Sequence, residues 1–323
     1  MPGSSAAALR WLALFLVPFL ALAVVHWDWS PATSASDYAQ YLMHARAIIE
    51  GRPYGDIGYI YNPAAGLIGP PTFPPGLPLT LAPLVALGGV HSPLARLLML
   101  ASVLVFAALA TWRLARDVAP WQAALAGAFS AYAIEASGST LAPISDPGFA
   151  ALVWGTVIAV DSERAWTWRR VAAVTALGFA ALSYRAAGVA LVPGLLLYAL
   201  LQRRRMGMRP FVPPALWTAA GVIGLAAGLL RIPFSDRLPR VITDLGNHLS
   251  TFAGQYHVGL FLAQLYPFSN NAANDGYHAV ASLLTLLGLA LIVWRARRSF
   301  MVTFAAAYGA VLLVAPVAEP RYA

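Results

Sequence analysis

GLPLTLAPLVALGGV, residues 76–90, decides how the rest of the chain is threaded. The run is apolar and enters behind Pro74-Pro75-Gly76, which fixes a rigid approach. It falls short of the roughly 20 apolar residues that a bilayer crossing needs. Read as a crossing, it reverses the direction of every apolar run that follows. Read as a juxtamembrane or re-entrant helix, it leaves them alone.

The surrounding composition says what kind of chain this is. Of 323 residues, 59% are hydrophobic and 11% charged, with a mean hydropathy of +0.67. Soluble domains carry roughly 25% charged residues, so the expectation is an all-α, polytopic membrane helix bundle. The net charge of +8 comes from arginine alone, because the sequence holds no lysine. The arginines cluster at the ends of apolar runs, which reads as orientation rather than as a nucleic-acid surface. With no cysteine, neither disulfides nor thiolate metal sites are available. The first run, Trp11 to Val25, lacks a small-residue cleavage pattern and reads as a retained anchor.

Candidate spans are residues 9–25, 91–112, 121–136, 147–160, 171–184, 186–201, 211–230, 277–294 and 300–317. With residues 76–90 kept out of the count, there are about nine crossings. An inner N-terminus then puts Arg10, Arg113, Arg116, Arg164, Arg169, Arg170, Arg203, Arg204, Arg205, Arg209, Arg295, Arg297 and Arg298 on the cytoplasmic side. The expected organisation is one membrane domain over 1–323, with outer loops at 26–91, 137–147 and 231–276. The same threading collects Asp37, Asp146, Arg185 and the terminal EPRYA on the outer face. Nothing in the spacing forces separated acids and bases onto one side, and this convergence is the main functional hint.

The first outer loop carries SDYAQYLMHARAIIEGRPY from Ser36. Ser36 and Asp37 read as a helix cap. Tyr38, Tyr41, Leu42, Ala45, Ile48 and Ile49 recur at helical spacing and form one apolar face, with Asp37, Gln40 and His44 opposite. Such a helix is expected to lie along the membrane surface, stopped by Glu50-Gly51-Arg52-Pro53. Tyr54, Tyr59, Tyr61 and Phe73 read as an interfacial aromatic belt. Asp146, ahead of Pro147, is equally readable as a helix cap. Arg185, between two apolar runs, is harder to explain structurally: an outer-face guanidinium with no orienting role suits a phosphate. His44, His91, His248, His257 and His278 show no metal-ligand spacing.

With these residues in hand, the chain resembles the GT-C superfamily of polytopic glycosyltransferases. It is most similar to the bacterial protein O-mannosyltransferase and aminoarabinose-transferase group. The resemblance rests on SDYAQYLMHARAIIEGRPY, PPTFPPGLPL, SPLARLL, LAPISDPGFA, LSYRAAGVALVPGLLLY and a terminal PRY, in that order. It implies an enzyme of the bacterial inner membrane that moves a sugar from a polyprenyl-phosphate donor to an acceptor on the outer face. By resemblance, Asp37 and Asp146 are the acidic site residues, Arg185 is the arginine of the outer corner, and Arg321 and Tyr322 are the late pair. Tyr38 and Tyr41 are expected to line the donor site. The first loop has Asp-Tyr where many members have two acids, and the second has no Asp-x-Asp for an oligosaccharyltransferase-like metal site. The family pattern also implies further spans beyond Ala323.

Such a transfer needs a base for the acceptor hydroxyl and cations for the leaving phosphate. Asp37 is the expected base and Arg185 the first phosphate ligand, with Arg321 second. Asp146 binds either the acceptor or a divalent cation; no other cofactor is expected. The competing readings are a secondary transporter or flippase for an anionic or lipid-linked substrate, and a non-catalytic membrane scaffold. Transport predicts charges at mid-membrane and matched halves; the sequence shows no internal repeat.

Overall fold

The structure is a computed structural model that describes residues 3–25, 37–58, 73–90, 93–136, 145–161, 166–206, 214 and 299–314. The described residues are helical, joined by turns, with no strand among them. The helices are α1 (Gly3–Val25), α2 (Asp37–Ile49), α3 (Gly76–Gly88), α4 (Leu94–Leu114), α5 (Pro120–Ala136), α6 (Asp146–Val160) and α7 (Trp168–Tyr184). A 3₁₀ turn (Ala186–Ala190) follows, then α8 (Leu191–Met206) and α9 (Phe300–Val314). α4, α5, α6, α7 and α9 begin within three residues of the expected spans, whereas α1 begins six residues earlier and the expected 186–201 divides into the 3₁₀ turn and an α8 that ends five residues later. The expected spans 211–230 and 277–294, the loop 231–276, and Arg321 and Tyr322 lie outside the described residues. Of these helices, α1 and α4 are long and apolar enough to cross a membrane, while α3 and α6 are apolar but shorter.

The chain divides into two compact units. In the first, which contains α1–α7, side-chain packing gives each helix a direction. Ala8, near the start of α1, packs with Ala115 after α4 and with Ala123 at the start of α5. Further along, Leu12, Leu16 and Phe19 meet Val103 and Ala107 of α4 and Ala124, Ala128 and Ala131 of α5. Phe19 and Tyr132 close that seam edge to face, 5.5 Å between ring centres. So α1 and α5 run one way and α4 the other. Arg113, in the last turn of α4, pairs with Asp161 just after α6, so α6 runs with α4. Arg170 Nε and Nη2, in the first turn of α7, donate to the carbonyls of Ala159 and Val160 at 2.8 and 2.6 Å. That sets α7 antiparallel to α6.

Arg10, Arg113, Arg116, Arg169 and Arg170 therefore share one end of this unit. This is the grouping expected when residues 76–90 do not cross. The position of α3 fits. Its Leu77, Leu81 and Val85 pack on Ala95 and Met99 in the first two turns of α4. Gly76, its first residue, abuts Ser183 at the end of α7 so closely that a Cβ there would meet Ser183 Oγ at 2.5 Å. Both contacts hold α3 at the end opposite the arginines.

The other unit contributes α8 and α9. Leu195 and Tyr198 of α8 are buried, as is Phe300 of α9. Tyr198 and Phe300 meet edge to face. Gly194 lets the α9 backbone close in, with Phe304 Cα 3.1 Å from where a Cβ would stand.

Candidate functional site

The α2 helix brings the site residues together, and its C-terminal stop shows why it ends where it does. Gly51 takes φ +66°, which an L side chain rarely adopts. Its N–H reaches Ile48 O at 3.3 Å while Arg52 N–H reaches Ala47 O at 2.9 Å. This is the Schellman pattern expected of Glu50-Gly51-Arg52. Outside it, Glu50 accepts from Arg46 Nε and Arg52 Nε, each at 2.6 Å. Those hydrogen bonds hold the Glu50 carboxyl below its ordinary value.

Of the expected apolar face, Tyr38, Tyr41, Leu42 and Ala45 are buried with α3 and the start of α4, and Ile48 packs against them. Ile49 departs from the expectation and is exposed. The larger correction concerns the polar side. His44 is fully buried, not solvated. Its ring stacks on Tyr54 at 4.1 Å, and Nδ1 lies 2.7 Å from Tyr54 O. The Tyr54 hydroxyl donates to Phe73 O at 2.8 Å, and Phe73 meets Tyr41 edge to face. Tyr54 and Phe73 thus pack around α2, and burial drives the Tyr54 phenol far up. Gln40 Oε1 is likewise buried, with no hydrogen-bond partner among the described residues. Exposure along the rest of α2 is confined to Ala39, Arg46 and Ile49, with Glu50 exposed just past its end. Periodicity alone missed this because the segment that covers the second face arrives from later in the chain.

Two tyrosines of α2 lead to buried arginines. Tyr38 hydrogen-bonds to Arg96 in the first turn of α4; burial raises its phenol, and the charge and hydrogen bond of Arg96 work against that rise. Arg96 is 8% exposed, and the sequence reading gave it no role beyond its place in SPLARLL. Tyr41, one turn on, donates its hydroxyl to Ser145 Oγ at 3.2 Å. Ser145 is the N-cap residue of α6, yet its side chain caps nothing. The next residue, Asp146, does not spend its carboxylate as a cap either: Oδ1 accepts from Arg185 Nη1 in an ion pair. The pair is asymmetric, with the arginine side chain 9% and the aspartate side chain 35% exposed.

The pair is built by the ends of an antiparallel hairpin. Arg185 follows the last turn of α7 in extended geometry (φ −147°, ψ 137°), which swings its side chain off the helix line toward the start of α6. Gly148 allows α7 to close: a Cβ there would meet the Tyr184 ring at 2.5 Å. The Tyr184 hydroxyl in turn lies 2.8 Å from Thr80 Oγ1, fastening α3 to the same corner.

The chain matches no protein-family model, no curated protein and no solved structure.

The arrangement thus joins Tyr38, Tyr41, Asp146 and Arg185, four of the seven residues expected at the site. Asp37 opens α2 one turn ahead of Tyr41; its side chain lies outside the described part, as do Arg321 and Tyr322. Among the described residues, no group of three or more His, Asp or Glu is placed to hold a metal ion. The corner thus presents the Tyr38 hydroxyl beside the buried Arg96, and the Tyr41 hydroxyl leading through Ser145 to the neighbouring Asp146–Arg185 pair.

Proposed function

We propose that this chain is a multi-pass membrane glycosyltransferase of the GT-C kind, transferring a sugar from a polyprenyl-phosphate donor to an acceptor on the outer face. The observation that supports the reading is the meeting of Tyr41, Ser145, Asp146 and Arg185 at one end of the helices. Of these, Tyr41, Asp146 and Arg185, some 140 positions apart in sequence, are residues expected at one site, and they lie at one corner. The cationic arginines of α1, α4 and α7 share the opposite end, in keeping with a cytoplasmic N-terminus and an outer site.

In this reading Asp37, at the head of α2, takes the proton of the acceptor hydroxyl as its oxygen attacks the anomeric carbon. The bond from that carbon to the phosphate oxygen breaks, and the lipid phosphate leaves with the electron pair. Arg185 meets the charge that gathers there, with Arg321 as a second cation. Direct displacement inverts the anomeric configuration. Tyr38 and Tyr41 offer a hydroxyl-bearing wall beside the sugar. The short α3, held at this end behind Pro75, leaves a way for a lipid chain to reach the site from the bilayer.

The test is sugar transfer from radiolabelled polyprenyl-phosphate sugars, in membranes carrying the wild type or Asp37→Asn at equal protein level. Transfer by the wild type that the variant loses supports the enzyme and its base. Equal transfer by both removes Asp37 from the mechanism. Binding of donor without transfer by either points to transport instead.

A further inference from the structure

The asymmetry of the Asp146–Arg185 pair carries an inference that rests on the proposed transferase reading and refines it. A carboxylate already occupies the guanidinium expected to receive the donor phosphate. We infer that Asp146 is the resident counter-anion of Arg185, displaced when the phosphodiester of the polyprenyl-phosphate sugar arrives and returning as the polyprenyl monophosphate left by transfer departs. Asp146 is then a positioning residue, neither a metal ligand nor an acceptor-binding group.

Three features favour exchange over a permanent strut. The arginine side chain is buried and fixed by the end of α7, whereas that of Asp146 is one-third exposed, so the acid is the partner with room to move. Asp146 also stands in the first turn of α6, where the helix dipole stabilises negative charge after the arginine is given up. The N-cap residue Ser145 makes no side-chain cap to that turn: its backbone is helical (φ −75°, ψ −14°), and its hydroxyl accepts from Tyr41. The carboxylate therefore has a second place to go. The physical gain is a buried guanidinium that is never left without a counter-charge. The consequence is that the phosphate must compete, so it binds less tightly and leaves faster than the arginine alone would allow.

The test reads binding of polyprenyl monophosphate to the full chain in nanodiscs of neutral lipid. Asp146→Asn keeps an oxygen acceptor but removes the competing charge. It is expected to bind the lipid phosphate about tenfold more tightly, equivalent to about 1.4 kcal/mol. Arg185→Gln is expected to lose at least as much affinity, and the double variant to match Arg185→Gln. Unchanged or weaker binding by folded Asp146→Asn overturns the proposal, as does undiminished binding by Arg185→Gln. A wild-type measurement covers the case in which Asp146→Asn does not fold. Carbodiimide-driven amide formation at Asp146, read by peptide mass spectrometry, is expected to accelerate several-fold when polyprenyl phosphate is bound. An unchanged or slower rate overturns the exchange. Repeating the labelling with inorganic phosphate separates recognition of the phosphate alone, which accelerates it equally, from recognition that needs the lipid, which does not. Sugar transfer is not read here, so the two ideas fail separately. Tightening by Asp146→Asn in a chain that transfers nothing sinks the enzyme and keeps the exchange; transfer without tightening does the reverse.

Discussion

The arginine-bearing end of the helices holds a second ion cluster, and it yields a differential prediction about stability. Arg113 Nη2 and Nε donate to Asp161 Oδ2 at 2.9 and 3.3 Å, and Nη1 also pairs with Asp117. The arginine and Asp161 side chains are 9% and 5% exposed; that of Asp117 is 45% exposed. Breaking a buried pair from one side costs about 3–5 kcal/mol. Asp161→Asn keeps an acceptor oxygen and leaves Asp117 as a counter-charge, so its cost belongs near the bottom of that range, about 3 kcal/mol. Asp117→Asn removes an exposed partner and should cost under about 1 kcal/mol. At about 2 °C per kcal/mol for a chain of this size, the two midpoints should fall by about 6 °C and at most about 2 °C. Thermal unfolding of the full chain in one detergent, wild type beside both variants, measures this directly. Equal shifts for the two would refute the assignment of Asp161 as the principal partner. The cluster lies at the far end of α6 from Asp146, about 22 Å along the helix, so transfer per folded molecule should not change.

Other expectations concern the opposite corner. Gly148→Val places carbon where the Tyr184 ring stands and should cost about 1–3 kcal/mol while displacing Arg185; sugar transfer should fall more than the midpoint does, and parallel losses would argue against a site there. Tyr41→Phe removes the hydrogen bond to Ser145, worth about 1 kcal/mol, and should raise the donor KM roughly fivefold with kcat little changed; a collapse of kcat would instead give Tyr41 a part in the chemical step. Glu50 has a lowered folded-state carboxyl pKa. Its pairing with Arg46 and Arg52 is therefore complete above the ordinary carboxylate range and lost as pH falls through the lower folded value. Amide exchange at Gly51 and Arg52, corrected for its intrinsic pH dependence, should show protection dropping in that acid window, and Glu50→Gln should flatten the drop.

The helices were largely legible in the sequence because apolar length and turn chemistry are local. The stop at Gly51, the shortness of residues 76–90 and the start of α6 at Asp146-Pro147 all stand where local rules put them. Partner choice was not legible. Asp146 has the residue type and place of a cap, and only the arrival of α7 gives its carboxylate to Arg185. His44 sits on the polar side of α2 by count, and only the return of the chain through Tyr54 to Phe73 buries it. Arg96 looked like an ordinary span-end arginine until Tyr38 packed beside it. In each case the deciding neighbour comes from another helix or from a turn well along the chain.

In the proposed membrane reading, the placement of the ion pairs has one physical origin. At 1.5 Å per residue, α6 is about 22 Å and α7 about 25 Å long, short of the roughly 30 Å of hydrocarbon in a bilayer. A hairpin of that length threaded through a membrane carries its terminal charges to hydrocarbon depth or thins the bilayer around it. Charge at such depth is tolerated when neutralised within the protein. Both ends of the hairpin meet that condition: Asp146 with Arg185 at one, Asp161 with Arg113 at the other, while Arg170 satisfies carbonyls at the end of α6. The difference between the ends is the exposure of the acid. Asp161 is sealed, whereas the one-third exposed Asp146 is the partner that the proposed exchange requires to move.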